Sequence, residues 1–240
     1  MVYRSRRRSS ERKAFVPPPP RGTSDRDKAK DALVALLMQH PFEDIGLAEV
    51  AGRAGLKLSA LRAEFGSTLA IWAAHIKDMD NAVLSADTAD MAEEPLRDRL
   101  FDVLMRRIEA MTPYREAYRT MMNSARRNPP LALALNAIAV RSQVWMLEAA
   151  GISASGARGA LRAQGGAVMF ARAVKAWLDA EDEDANDKAM AALDKGLASA
   201  ERWDGFMRDL CALPRCIMRG PKPRRRARPL DEGPAEASAA

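Results

Sequence analysis

The sequence predicts an all-α protein: a small N-terminal helix-turn-helix unit followed by a larger helical bundle. Three observations carry this. Alanine is abundant through the body of the chain, and it loses no side-chain entropy in a helix. Aromatic residues make up only 5% of the 240 residues. No run alternates apolar and polar residues long enough to build a sheet.

The first predicted helix is capped by Ser24, with Asp25 and Asp27 in its first turn complementing the helix dipole. Ala29, Ala32, Leu33, Leu36 and Leu37 form its apolar stripe. Pro41 stops it just after His40. A short helix follows over residues 47–54 and breaks at Gly55; another spans 59–64 and breaks at Gly66. Ser67 caps a longer helix carrying Leu69, Trp72, Ala73, Ile76, Met79 and Val83. Three helices within residues 24–66 and just beyond, with a glycine turn between the second and third, describe a helix-turn-helix. Ala51 is small where two helices must cross, and Gly55 permits the positive φ of the turn. Leu56, Leu61 and Phe65 plug the small core.

A second group of helices starts after Pro95, where Leu96, Leu100, Val103, Leu104 and Ile108 share a face. Pro113 begins a shorter helix through Tyr118 and Met122. Pro129 and Pro130 begin a long one reaching about Ala149. One of its faces holds Leu131, Leu135, Ile138 and Trp145, and a second holds Leu133, Ala137, Val140, Val144 and Leu147. A helix apolar on two sides is central to a bundle or lies between subunits. Gly151 ends it. The next helix runs from about Ser155 to Ala180, followed by a loop of solvated acids, Glu181 to Asp184. Gly165 and Gly166 inside that helix either allow close packing, as at a dimer seam, or mark a kink. The last pattern is Met190, Leu193, Leu197, Ala200 and Met207.

Charge divides the chain. Residues 1–23 carry +6 and residues 214–240 carry +4, so the body between them is −4 within the overall +6. The organisation that follows is a disordered basic arm over 1–23, a helix-turn-helix domain over 24–90, a helical ligand and dimerisation domain over 91–213, and a disordered basic tail over 214–240. The Arg clusters at 6–8 and 224–226 either solubilise the chain or track phosphates. No secretory signal pattern or membrane-length apolar run is expected, the longest apolar stretch being Leu131 to Val140. Cys211 and Cys216 read as reduced thiols, so the expected compartment is the cytoplasm. Two histidines leave little material for a metal site. Gly151-x-x-x-x-Gly156 lacks the Lys-Ser/Thr of a phosphate loop, and no nucleophile has a recognisable triad context. No enzyme, cofactor or metal is expected.

The stretch Glu49-Val50-Ala51-Gly52-Arg53-Ala54-Gly55-Leu56, with His40-Pro41-Phe42 before it and Leu61-x-x-x-Phe65 after it, resembles the tetracycline-repressor (TetR) family of transcriptional regulators. The resemblance covers Lys30 to about Ile76. It implies double-stranded DNA as a partner, a homodimer, and a small apolar effector. Residues that would face DNA are Lys57, Leu58, Ser59, Ala60, Arg62 and Ala63, with Thr68 at the start of the fourth helix. Leu58 and Ala60 would touch thymine methyls, and Ser59 would hydrogen-bond either base type. Lys57 stands where the family usually has a Ser or Thr cap, Arg62 where it has Tyr, and Thr68 where it has Lys. Residues 24–66 carry a net −1, an unusual balance for a surface that must neutralise phosphates.

The latter half also looks like the coenzyme Q biosynthesis lipid-binding protein, a lipid binder with a TetR-like fold. The matching features are Tyr114-Arg115-Glu116-Ala117, Pro130-Leu131-Ala132-Leu133, Trp145, and Trp177-Leu178-Asp179 before the acidic loop. Trp203 to Leu213 vaguely suggests that family's terminal membrane-binding helix. This gives the alternative function, binding of a lipid or quinone precursor without DNA activity. Under either reading Met122, Trp145, Met146, Met169 and Phe170 are the candidate ligand residues, because methionine and aromatic side chains line pliable apolar cavities.

Overall fold

The structure is a computed structural model that describes residues 24–86 and 93–200. The basic arm and tail, the two cysteines, Met207 and the Trp203–Leu213 segment lie outside the described residues. No strand occurs among the described residues, and the all-α prediction holds.

Four helices make the N-terminal part: α1 (Asp25–Leu37), α2 (Leu47–Ala54), α3 (Leu58–Glu64) and α4 (Thr68–Leu84). Ser24 caps α1, its Oγ accepting from the Asp27 amide at 3.1 Å. Ser67 caps α4 in the same way through the Ala70 amide at 3.1 Å. The α1 stripe packs on α2, α3 and α4, and Leu33, Leu37, Val50, Leu61 and Ile71 are buried at the centre. The chain leaves α1 through a short 3-10 turn, Phe42–Asp44.

The bundle contains α5 (Leu96–Met111), α6 (Arg115–Arg127), α7 (Pro129–Ala149) and α8 (Gly156–Asp179). A further helix, α9, starts at residue 185 and is helical to residue 200. Pro113 does not start α6. It lies in a 3-10 turn, Thr112–Tyr114, that follows α5 directly and redirects the chain into α6. Asn128 caps α7, accepting from the Leu131 amide at 3.1 Å, with prolines filling the first helical positions. Gly151 ends α7 in the left-handed region, with φ 78°. The core holds Leu104, Ile108, Met146, Trp177 and Leu193.

Two expectations about the long helices are corrected. Trp145 does not share a buried face with Leu131, Leu135 and Ile138; it is 56% exposed, while Ser142, Gln143, Met146 and Leu147 are buried. The helix changes partners along its length, packing on α4, α5, α6 and α8. Most of its buried residues lie in its C-terminal half. By length and composition α7 is long and apolar enough to cross a membrane, yet only 28% of its most apolar 18-residue stretch is buried in the protomer. Gly166 is not free for a partner subunit: a Cβ there would stand 3.2 Å from Oε1 of Gln143 on α7. Gly165, one residue earlier, faces open space.

The acidic loop also does more than face water. Asp182 pairs with Arg115, whose guanidinium donates to the carbonyls of Trp177 and Ala180 at 2.7 and 2.6 Å. These are carbonyls at the open C-terminal end of α8, and a cation is well placed to satisfy them. Arg115 also lies over the Trp177 ring at 5.4 Å. Two motifs distant in sequence, around Arg115 and Trp177, are thus one packing unit that docks α8 onto the start of α6.

Candidate nucleic-acid interface

The second and third helices meet at Gly55, which adopts φ 66° and ψ 29°. Its amide bonds back to α2, and the Leu56 amide reaches the Ala51 carbonyl at 2.9 Å. This closure suits glycine because a Cβ disfavours the left-handed region. Lys57 is extended and opens α3 without a side-chain cap. The helix is held from below by Leu61 and Phe65, both buried.

Opposite those anchors, Lys57, Leu58, Ser59, Arg62 and Ala63 are all exposed. Leu58 is 54% exposed, a large apolar side chain presented to solvent. Positions 58 and 62, and 59 and 63, are one turn apart, so they stack on one helix face. Ala60 is half-buried beside this face, and Thr68 is half-buried as the first residue of α4. The protrusion is thus a short helix with two cations, a hydroxyl and methyl-sized groups.

Sequence reasoning did not single out Arg26. Its guanidinium lies over the Phe65 ring at 4.7 Å and 3.6 Å from the Glu64 carboxylate. It ties the start of α1 to the end of α3 and offsets an acid beside the exposed face. Arg26 is in helical register with Ala29, Leu33 and Leu37, but periodicity alone gave no sign of what its guanidinium meets.

Helix α4 joins this unit to the bundle through polar groups that were likewise missed. Lys30 of α1 pairs with Asp27 at 2.7 Å and also with Asp78 of α4. Asp80 of α4 meets Arg107 of α5 at 2.5 Å and accepts from Ser142 Oγ of α7 at 2.7 Å. Ser142 in turn accepts from Arg107. Asp80, Arg107 and Ser142 are all buried. Burial pushes the Asp80 carboxyl upward, against the pull of Arg107 and Ser142. A buried acid with both a cation and a hydroxyl has its polar capacity satisfied only if all three helices keep their places. One turn earlier, His75 packs on the rings of Trp72, Tyr114 and Tyr118, with centroid distances of 5.2, 4.8 and 6.0 Å. The Phe42 amide donates to Ser124 Oγ of α6 at 3.2 Å, a second link between the two parts.

The five candidate ligand residues are not brought together around one cavity. Met146 is core, and Phe170 lies under the Arg107 guanidinium at 5.2 Å. Met169 is half-buried and packs close to Gly196 of α9. Trp145 faces outward, and Met122 borders a surface groove between α6 and α8. Their shared apolar character therefore covers several different environments. No group of three or more His, Cys, Asp or Glu suited to a metal ion occurs among the described residues.

No protein-family model matches the sequence, and no curated protein matches it. Solved structures do. The chain is similar to a TetR transcriptional regulator from Nitrosomonas europaea ATCC 19718, 18% identical, with a TM-score of 0.56 over 73% of this chain and 97% of that one. It is also similar to a TetR transcriptional regulator from Rhodococcus sp. RHA1, 20% identical, with a TM-score of 0.49 over 72% and 96% of the two chains. At this identity the likeness is one of fold, and the first of these structures carries it.

Proposed function

We propose that this chain, which has the fold of a TetR regulator, is a cytoplasmic DNA-binding transcriptional regulator acting as a homodimer. The observation that carries the reading is the exposed face of α3. Lys57, Leu58, Ser59, Arg62 and Ala63 project from a helix anchored by Leu61 and Phe65 and aimed by the Gly55 turn. A helix so presented fits the major groove, where Lys57 and Arg62 meet phosphate or guanine and the small groups meet thymine methyls. Selected genomic fragments bound in a gel-shift titration test this. Lys57→Glu and Arg62→Glu are each expected to weaken binding by at least ~1 kcal/mol, about fivefold. Unchanged affinity in both would remove α3 from the interface.

Dimerisation rests on the outer face of the α7–α8 pair. Leu133 and Trp145 on α7, and Leu161 and Val168 on α8, are large, apolar and exposed. Large apolar side chains left exposed on a helix pair are candidates for an interface, and a self-complementary two-fold seam is the commonest way to cover them. Two copies would then present two α3 helices to successive half-sites. A small effector acts, in this reading, by shifting the population of DNA-competent dimers. Helix α4 is the element through which it acts, because Asp78 and Asp80 bind it to α1 on one side and to α5 and α7 on the other. The role is binding rather than catalysis.

A further inference from the structure

The exposed side chains of α3 are few enough to be matched to base edges one by one. Its seven residues, Leu58–Glu64, include no Asn, Gln or Asp. Asn and Gln make the bidentate contact to adenine, and a carboxylate accepts from the cytosine amino group. The one carboxylate on α3, Glu64, closes the helix, about 9 Å along its axis from Leu58. It stands 3.6 Å from the guanidinium of Arg26, which itself lies over the Phe65 ring. Lys57, Leu58, Ser59, Arg62 and Ala63 remain, all of them exposed. Lys57 and Arg62 match a guanine edge, and the Ser59 hydroxyl does not choose between bases.

Leu58 breaks the polarity of this face. It is 54% exposed and the one large apolar side chain exposed on α3, whereas Ala60 is half-buried. It occupies the first turn, the part of a recognition helix whose side chains reach base edges. Arg62 lies one turn further along the same face. The major groove offers a leucine one apolar partner, the C5-methyl group of thymine. A 5-methylcytosine carries the same methyl on the same carbon.

We infer that α3 selects DNA by a pyrimidine C5-methyl group packed on Leu58, with Arg62 on guanine, so that 5-methylcytosine serves in place of thymine and cytosine methylation strengthens a site. The inference rests on the DNA-binding reading above and adds to it the base chemistry that is read. Leucine has no hydrogen-bonding group. It is therefore indifferent to the exocyclic oxygen or amino group that separates thymine from methylated cytosine, and it responds to the methyl alone.

Gel shift with the full-length protein on a genomic fragment that it selects tests this. The same fragment is synthesised with deoxyuridine for thymidine, which removes the C5-methyl groups and nothing else. Affinity is expected to fall at least about fourfold, the effect of losing one buried methyl group. Single deoxyuridine substitutions locate the thymine responsible. At that position 5-methylcytosine paired with guanine is expected to bind about fourfold more tightly than cytosine in the same pair. Leu58→Ala should bind the thymine and uracil fragments equally, while Leu58→Met keeps the preference. The ratio of the two affinities is internal to each protein, so a general loss of binding or stability does not move it. Equal affinity of the parent protein for both fragments, a full preference retained by Leu58→Ala, or no gain from 5-methylcytosine would overturn the inference and leave DNA binding standing. A protein that selects no fragment would overturn the DNA-binding reading itself, and this inference with it.

Discussion

His75 shows how a single side chain acquires properties its neighbours in sequence do not announce. It lies among Trp72, Tyr114 and Tyr118, and burial pushes its pKa down to about 4 from an ordinary 6.5, with Asp78 pulling the other way. In the unfolded chain the imidazole takes a proton below about pH 6.5; in the folded protein it does so only below about pH 4. Between those values the unfolded state binds more protons, so stability rises with pH. The native state is therefore expected to lose up to about 3 kcal/mol on this account as pH falls from 6.5 to 4. Urea unfolding at several pH values should show this loss in the native protein and a shallower pH dependence in His75→Phe, which keeps the ring and removes the titration. Parallel curves for the two proteins would show that His75 takes up its proton without unfolding. Periodicity placed Trp72 and Ile76 on the buried stripe of α4 but said nothing of His75, because the stripe's width depends on how many helices surround it.

At the scale of elements, the pairing of α7 with α8 is the clearest case of a close fit. Gln143 is buried, and Gly166 leaves room for its amide. Asn136 and Gln164 exchange hydrogen bonds at 3.1 Å in both directions further along the pair. Gly166→Leu would drive a side chain into the Gln143 amide. The expected result is a protomer destabilised by about 1–3 kcal/mol, the usual range for overpacking, measured by chemical denaturation. An unchanged midpoint would mean that Gln143 swings aside without loss. A dimer-seam role for this glycine, one of the readings its sequence position allowed, is replaced by an intramolecular one. Helices α1 to α4, by contrast, were legible nearly residue by residue. Their boundaries are set by Ser24, Gly55 and Ser67, which act within a turn of their own position.

Across the whole molecule, the outer face of α7 and α8 carries the argument for assembly. Leu133 is 73% exposed and Trp145 56% exposed. The double variant Leu133→Glu/Trp145→Glu would place two charges in a desolvated seam, which is strongly unfavourable. It is expected to sediment as a monomer with an unchanged helical spectrum. A dimer that survives both substitutions would move the seam elsewhere. A native protein that is itself monomeric at micromolar concentration would remove the seam, and with it the regulator reading, because one helix-turn-helix unit makes too few contacts to hold a specific site.

The chain's local chemistry is enough to dictate the all-α class, the order of the helices and the turn at Gly55. It also placed Lys57, Ser59 and Arg62 on the helix after that turn. These follow from apolar spacing, caps and backbone freedom, which operate over a few residues and need no knowledge of what packs where. Packing between distant helices settled that Trp145 faces outward, that Met146 and Phe170 are core, and that Asp80, Arg107 and Ser142 meet. It also placed Arg119 and Arg126 of α6 beside Lys175 and Asp179 of α8. Each of these depends on the approach of helices far apart in the chain. A helix such as α7, apolar on most sides, matches several partners equally well by periodicity. Which side is buried is settled by the crossing of four neighbours, and that crossing is a property of the assembled fold.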